Sequence, residues 1–166
     1  AGFVYSTNPN PNVNTGTVQQ VSPFNLAGYS ANLVNLRPNA QYFVRSFVEN
    51  SFGRITYGDE QSFTTQVITL NISGSFSVRP KTYDGNVNAE ISSYFLNLSG
   101  LVSPFNSVSL ENVVVEFETP EAGINKPVRI VSADIAGPDA GSYSLSLANS
   151  PMGRSEEHTS ELQSQD

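Results

Sequence analysis

The fold is decided most clearly by Tyr42-Phe43-Val44-Arg45-Ser46-Phe47-Val48, a run dominated by aromatic and β-branched residues. Such side chains pack well on a pleated surface, so this run predicts a β-strand. Successive side chains of a strand point to opposite faces. The even-numbered residues should therefore face one side of a sheet and the odd-numbered residues the other.

Outward from this strand, the chain alternates short strand-like runs with turn-forming residues. Tyr29–Leu36 alternates apolar and polar residues, and Val113–Phe117 is a run of β-formers. Turns are predicted at Asn50-Ser51-Phe52-Gly53 and at Asp84-Gly85, where Asn, Asp and Gly tolerate positive φ. Regularly spaced short strands of this kind predict an all-β protein built from antiparallel sandwiches.

The composition excludes several classes of function. The 166 residues include 8 Lys and Arg against 15 Asp and Glu, for a net charge of −7, and no Cys. The lack of Cys excludes disulfide scaffolds, thiolate zinc sites, iron–sulfur clusters and cysteine nucleophiles. The negative charge argues against nucleic acid and anionic membranes as partners, because both bind cationic surfaces.

Four segments of the first half share a recognisable pattern: Gly2–Ser6, Leu36–Arg45, Asn50–Gly53 and Ser62–Thr65. Together they resemble a fibronectin type III domain of the version common in large bacterial surface proteins. The resemblance starts at the third strand of that family, which implies that its first two strands are missing. We therefore expect an incomplete fibronectin-like domain over residues 1–66.

Within this half, the spacing Leu36-x-Pro38-x-x-x-Tyr42 suits a tyrosine corner. In that feature a Tyr at the start of a strand returns its hydroxyl to the backbone just upstream. The alternative is that Tyr42 packs in the core without such a bond.

The second half carries three characteristic pieces, Lys81-Thr82-Tyr83-Asp84-Gly85, Leu98-Ser99-Gly100 and Ile135–Leu145. These resemble the YDG-type β domain that recurs in tandem in bacterial adhesin-like proteins. The resemblance implies a second sandwich over residues 67–151. The spacing Asp139-x-Gly141-x-Tyr143-x-Leu145 again suits a tyrosine corner, at Tyr143. The predicted fold is thus two consecutive immunoglobulin-like or fibronectin-like antiparallel sandwiches, the first incomplete, and a disordered C-terminal tail.

The predicted tail comprises residues 152–166. Within it, residues 154–164 resemble the translation of a common sequencing-library adapter. The alternative is a short solvated helix that begins at Ser155 with Glu in its first turn. Leu162 is the only apolar residue of that stretch, so such a helix would have no face to bury. We therefore exclude the tail from the fold prediction.

The sequence offers no convincing catalytic residues, and we expect neither a cofactor nor a metal centre. The only His, His158, lies in the predicted tail, so a Ser-His-Asp arrangement is not expected. Asp84 and Asp139 each stand alone in a predicted turn. They are interpreted as turn formers, with a weak cation site as the alternative.

One possible ligand face remains in the first half. If the Tyr42 side of its strand is the core, then Phe43, Arg45 and Phe47 lie on the outer face. Such a stripe could stack against a sugar ring or a partner domain. The alternative is ordinary cross-strand packing.

These observations predict a non-catalytic extracellular module pair that serves as a spacer or adhesive segment of a large bacterial surface protein. The alternative is an ancillary, carbohydrate-binding module of a secreted glycan-degrading enzyme. The expected partners are neighbouring β domains of the same parent chain, and a surface glycan or protein ligand. Nucleic acid and membrane insertion are not expected for this segment.

Overall fold

The computed structural model describes residues 1–22, 25, 28–82, 84–121, 123 and 125–155. It divides the chain into two compact units, Ala1–Val67 and a second unit that begins at Ile68. The predicted all-β class is confirmed, since strands account for every described element except one turn of 3₁₀ helix at Ala140–Ser142. Within the described ranges, no helix has the length and apolar character needed to cross a membrane.

The described part of the first unit forms one antiparallel sheet. The strands are β1 (Gly2–Ser6), β2 (Thr17–Gln20), β3 (Gln41–Glu49), β4 (Ile55–Tyr57) and β5 (Gln61–Thr64). They follow in the order β2-β1-β3-β4 across the sheet, and β5 also pairs with β3. The central strand β3 contains the predicted strand at residues 42–48, extended by one residue at each end.

Each face of this sheet carries buried side chains. On one face, Val4 and Phe47 have exposed fractions of 0% and 2%. The loop before β2 covers Val4, because a Cβ atom on Gly16 would lie 2.7 Å from the Val4 side chain. On the other face, Tyr42 packs between Tyr5 and Phe63, with ring centroids 6.1 and 5.8 Å away.

The predicted strand at Tyr29–Leu36 is wrong, since the structure places no strand there. This segment lies close to the sheet without pairing in it. The Tyr29 hydroxyl is 3.3 Å from the carbonyl oxygen of Phe47, and the Tyr5 hydroxyl is 3.4 Å from that of Val34. Alternating apolar residues here serve a covering loop.

The described part of the second unit forms one mixed sheet. The strands are β6 (Ile68–Val78), β7 (Asn88–Ala89), β8 (Ile91–Ser99), β9 (Ser109–Phe117), β10 (Pro127–Ala136), β11 (Tyr143–Ser146) and β12 (Gly153–Ser155). β11 and β12 pair with one edge of β6, and β8 pairs with the other edge. From β12 the sheet continues through β10 and β9 to β7.

The second unit, predicted as a sandwich, is one continuous hydrogen-bonded sheet that folds over a single apolar core. The core joins side chains of β6 and β8 to side chains of β9 and β10. Its buried members are Ile72, Phe76, Val78, Leu96, Val115, Phe117, Val128 and Ile130.

Residues 153–155, which the sequence placed in the tail, instead form strand β12. This strand pairs with β6 and with β10 and links the two in the sheet. Ser155 is 3% exposed, and its hydroxyl accepts a hydrogen bond of 3.1 Å from the backbone N–H of Lys126. The remainder of the predicted tail, residues 156–166, lies outside the described residues.

Candidate functional site

The predicted ligand face at Phe43, Arg45 and Phe47 is not an open surface. Phe47 is 2% exposed and packs against Tyr57 at a centroid distance of 6.4 Å. The Arg45 guanidinium lies 4.8 Å from the centre of the Tyr57 ring and donates a 3.0 Å hydrogen bond to the Gly58 carbonyl. Phe43 and Arg45 are half-buried, and the prediction of an exposed stripe is wrong at Phe47, which is covered.

Tyr42 makes the bond that a tyrosine corner requires. Its hydroxyl accepts a 2.9 Å hydrogen bond from the backbone N–H of Arg37, five residues upstream. Tyr42 is buried, with 7% of the residue's area exposed. The residue thus fixes the loop before β3 against the core, which is a structural role.

Tyr143 is also buried and hydrogen-bonded, but its partners lie far upstream. Its hydroxyl donates to the carbonyl of Phe105 at 2.5 Å and accepts from the backbone N–H of Val102 at 3.1 Å. The predicted local corner is therefore wrong at Tyr143. The residue instead holds the loop between β8 and β9, because β11 runs beside that loop.

Asp139 fastens the same loop. Its carboxylate accepts a 3.0 Å hydrogen bond from the backbone N–H of Ser107, and its own N–H donates to the Ser107 carbonyl at 3.2 Å. Gly137 has a φ of +117°, and a Cβ atom there would lie 2.4 Å from the Ser107 oxygen. The segment from Gly137 to Tyr143 is thus a clamp on residues 102–107, which we call the loop clamp.

A groove of about 320 Å³ lies at the turn that contains Asp84 and is lined mainly by polar residues. The Lys81 ammonium is central to it. Lys81 Nζ lies 2.8 Å from the Asp84 carboxylate, 3.1 Å from the Asn88 carbonyl and in contact with the Asn86 amide oxygen. Tyr83, which belongs to the same sequence motif, lies outside the described residues.

The acceptors in this groove serve the turn itself. Asp84 accepts hydrogen bonds from the Asn86 backbone N–H at 3.1 Å and from the Asn86 side-chain amide at 2.6 Å. Among the described residues, no cluster of three His, Cys, Asp or Glu side chains could hold a metal ion. The geometry therefore supports the interpretation of Asp84 as a turn former held by Lys81.

A second ammonium group, that of Lys126, lies close by at the end of the β9–β10 hairpin. Lys126 Nζ donates to the Thr119 carbonyl at 2.7 Å and to its hydroxyl at 3.1 Å, and it contacts the Glu121 carbonyl. Lys81 and Lys126 line one small cleft. The Lys81 to Asp84 spacing is a readable signal, whereas Lys126 reaches the cleft only through the hairpin.

The hydrogen bond from Lys81 lowers the pKa of the Asp84 carboxyl, and the charge of Lys81 acts in the same direction. We predict that Lys81→Met moves the Asp84 pKa upward toward its ordinary value. A depressed carboxyl pKa contributes stability above the unfolded-state pKa, and this is lost as the pH falls through the folded-state value. The Lys81→Met variant should therefore lose less stability on acidification than the parent chain.

Carbon-detected NMR titration of the side-chain carboxyls measures this effect. Lys126→Met is the matched control, because it removes a cation from the same cleft but spares the Asp84 partner. The pKa of Glu121, which is lowered chiefly by a hydrogen bond from Thr119, should stay unchanged in Lys81→Met. An unchanged Asp84 pKa in that variant would contradict the assigned pairing.

The comparison with known families fits this geometry. Residues 64–151, more than half of the chain, match the family model described as the YDG domain. This range contains the groove around Lys81, the loop at residues 102–107 and the loop clamp that holds it. Neither the curated proteins nor the solved structures give a match. The chain belongs to the YDG domain family.

Proposed function

We propose that the chain is a non-catalytic, extracellular module pair that acts as a spacer or adhesive segment of a large bacterial surface protein. One observation carries the proposal: the candidate polar side chains serve the backbone. Tyr42, Tyr143, Asp139 and Lys126 each bond main-chain groups of their own unit. Catalytic groups, in contrast, must be positioned to reach a substrate.

The first unit is proposed as a partial fibronectin type III-like domain. The Tyr42 hydroxyl bond to Arg37 supports this assignment, since the corner belongs to the sandwich architecture that the resemblance implies. Its proposed partners are neighbouring β domains of the same parent chain, and a surface glycan or protein ligand. The net charge of −7 favours these partners over nucleic acid.

A panel of polysaccharides tests the non-catalytic role against the alternative of an ancillary module of a glycan-degrading enzyme. The purified full chain is incubated with each polymer, and released reducing ends and binding heats are measured. We expect reducing ends at the level of a buffer blank. Turnover by the purified chain would overturn the non-catalytic proposal, and saturable binding to a plant or microbial polysaccharide would favour the alternative.

The parent gene provides the second arm of this test. Long arrays of the same domains beside this segment would support a stalk. A glycosidase-like neighbour would support the ancillary module instead.

A further inference from the structure

The strands at the two ends of the second unit pair directly with each other. β6 opens the unit, and β11 runs parallel to it with Tyr143 opposite Ile68, Leu145 opposite Leu70 and Ser146 opposite Asn71. β12 continues along the same edge of β6, again in parallel. Most other pairings in this unit are antiparallel, between strands that follow each other closely in the chain.

A parallel pair of this kind has a particular response to tension. A force applied before Ile68 and after Ser146 pulls β6 and β11 in opposite directions along their own axes. The hydrogen bonds of the ladder run from one strand across to the other, so sliding along the strand axes loads all of them together. A force that separates two strands from one end instead breaks the bonds one after another. The β6–β11 pair is therefore arranged for shear.

Side chains oppose the sliding of this pair. Leu70 is fully buried on β6, and Tyr143 is 7% exposed on β11. The Tyr143 hydroxyl is tied to the backbone of Val102 and Phe105, so β11 cannot slide unless these bonds break. Across the pair, the hydroxyls of Thr69 and Ser144 lie 3.1 Å apart.

The first unit lacks this arrangement among its described residues. Its first strand, β1, pairs with β2 and β3, and its last strand, β5, pairs with β3. All of these pairings are antiparallel. Tension between the ends of that unit is not carried by a pair formed from its first and last strands.

We propose that the second unit bears tensile load, with the β6–β11 pair as its mechanical clamp. The inference rests on the proposed spacer role, because a spacer in a surface protein transmits force between its neighbours. The resistance to force depends on the β6–β11 pairing alone. A pulling experiment that shows no such resistance would leave the results with polysaccharides and the parent gene unaffected, so the two proposals fail separately.

Single-molecule pulling on the full chain tests the clamp. The chain has no Cys, so introduced cysteines are its sole attachment points. Val67→Cys with Ala148→Cys loads the pair in shear, and both sites are exposed. Val67→Cys with Gly141→Cys is the matched control, because both anchors then precede their parallel strands and tension peels the pair from one end. A Cβ atom on Gly141 meets no heavy atom within 4 Å.

At equal pulling speed, we expect the unfolding force in shear to be at least about twice that in the peeling geometry, since forced unfolding follows the height of the barrier along the pulled direction. Each event should release roughly 240–290 Å of chain, which identifies the second unit. Thermal midpoints equal to that of the parent chain confirm that both variants fold. Should Val67→Cys fail to fold, the exposed Gln66 takes its place in both pairs. Equal forces, or a lower force in shear, would overturn the proposal that the β6–β11 pair bears the load.

Discussion

Hydrogen exchange of the full chain should show far stronger protection across Val113–Phe117 than across Tyr42–Val48. The buried apolar side chains of the described residues are unevenly shared. Prolines aside, the first unit contributes Val4, Tyr5, Tyr42 and Phe47, and the second contributes ten, from Leu70 to Tyr143. Full burial of one such side chain stabilises by about 1.5–3 kcal/mol. The free energy of opening should therefore be larger in the second unit.

The expected ratio of protection factors is at least about 100, because every 1.4 kcal/mol corresponds to a factor of ten. Mass spectrometry of the exchanged chain after rapid digestion measures both segments in one sample, so solution conditions cancel. Exchange rates of unstructured peptides with the same sequences provide the reference. Equal protection in β3 and β9 would contradict the prediction. It would show that the covering loops stabilise the first sheet as much as the apolar core stabilises the second.

Strand identity could be predicted from sequence where β-forming residues occur in an unbroken run. The runs at 42–48 and 113–117 lie inside β3 and β9. The alternation at Tyr29–Leu36 predicted a strand wrongly, because a loop that covers a sheet also needs apolar residues at intervals. Alternation reports burial on one side, and a strand is only one way to achieve it.

The error at Phe47 has a related cause. Alternation predicts one buried and one exposed face for an antiparallel sheet. In this chain, the loop between β1 and β2, which is rich in Asn and Pro, covers the face of the sheet that carries Val4 and Phe47. Pro11 of this loop is among the fully buried residues. Turn formers identify a loop but do not indicate where the loop folds.

Contacts between residues far apart in the sequence were the hardest to predict. The bond between Arg37 and Tyr42 could be predicted, because Arg37 lies in the turn just before β3 and Tyr42 lies at the start of that strand. The partners of Tyr143 are 38 and 41 residues away, and those of Asp139 are 32 residues away. Only the pairing of β6 with β11 determines which loop lies beside them.

Phe76→Ala should destabilise the second unit by about 3–5 kcal/mol, the usual cost of removing a buried aromatic ring. Phe76 is 6% exposed and belongs to the core that joins β6 and β8 to β9 and β10. The loss is comparable with the net stability of a small domain, about 5–15 kcal/mol. Phe95→Ala is the matched control: Phe95 lies on the neighbouring strand β8 but is 69% exposed, so its removal should change stability little.

Gly153 gives this prediction a second, sharper form. A Cβ atom on Gly153 would lie 2.4–2.7 Å from the nearest atoms of the Phe76 ring, closer than real contacts allow. Gly153→Ala should therefore destabilise the parent chain, because the ring or strand β12 must move. In the Phe76→Ala background the ring is gone, and the added methyl group fills part of the cavity, so the same substitution should stabilise. Denaturant unfolding of the four chains measures this change of sign as a coupling energy. If Gly153→Ala has the same effect in both backgrounds, β12 does not pack on Phe76, and its assignment to the sheet between β6 and β10 fails.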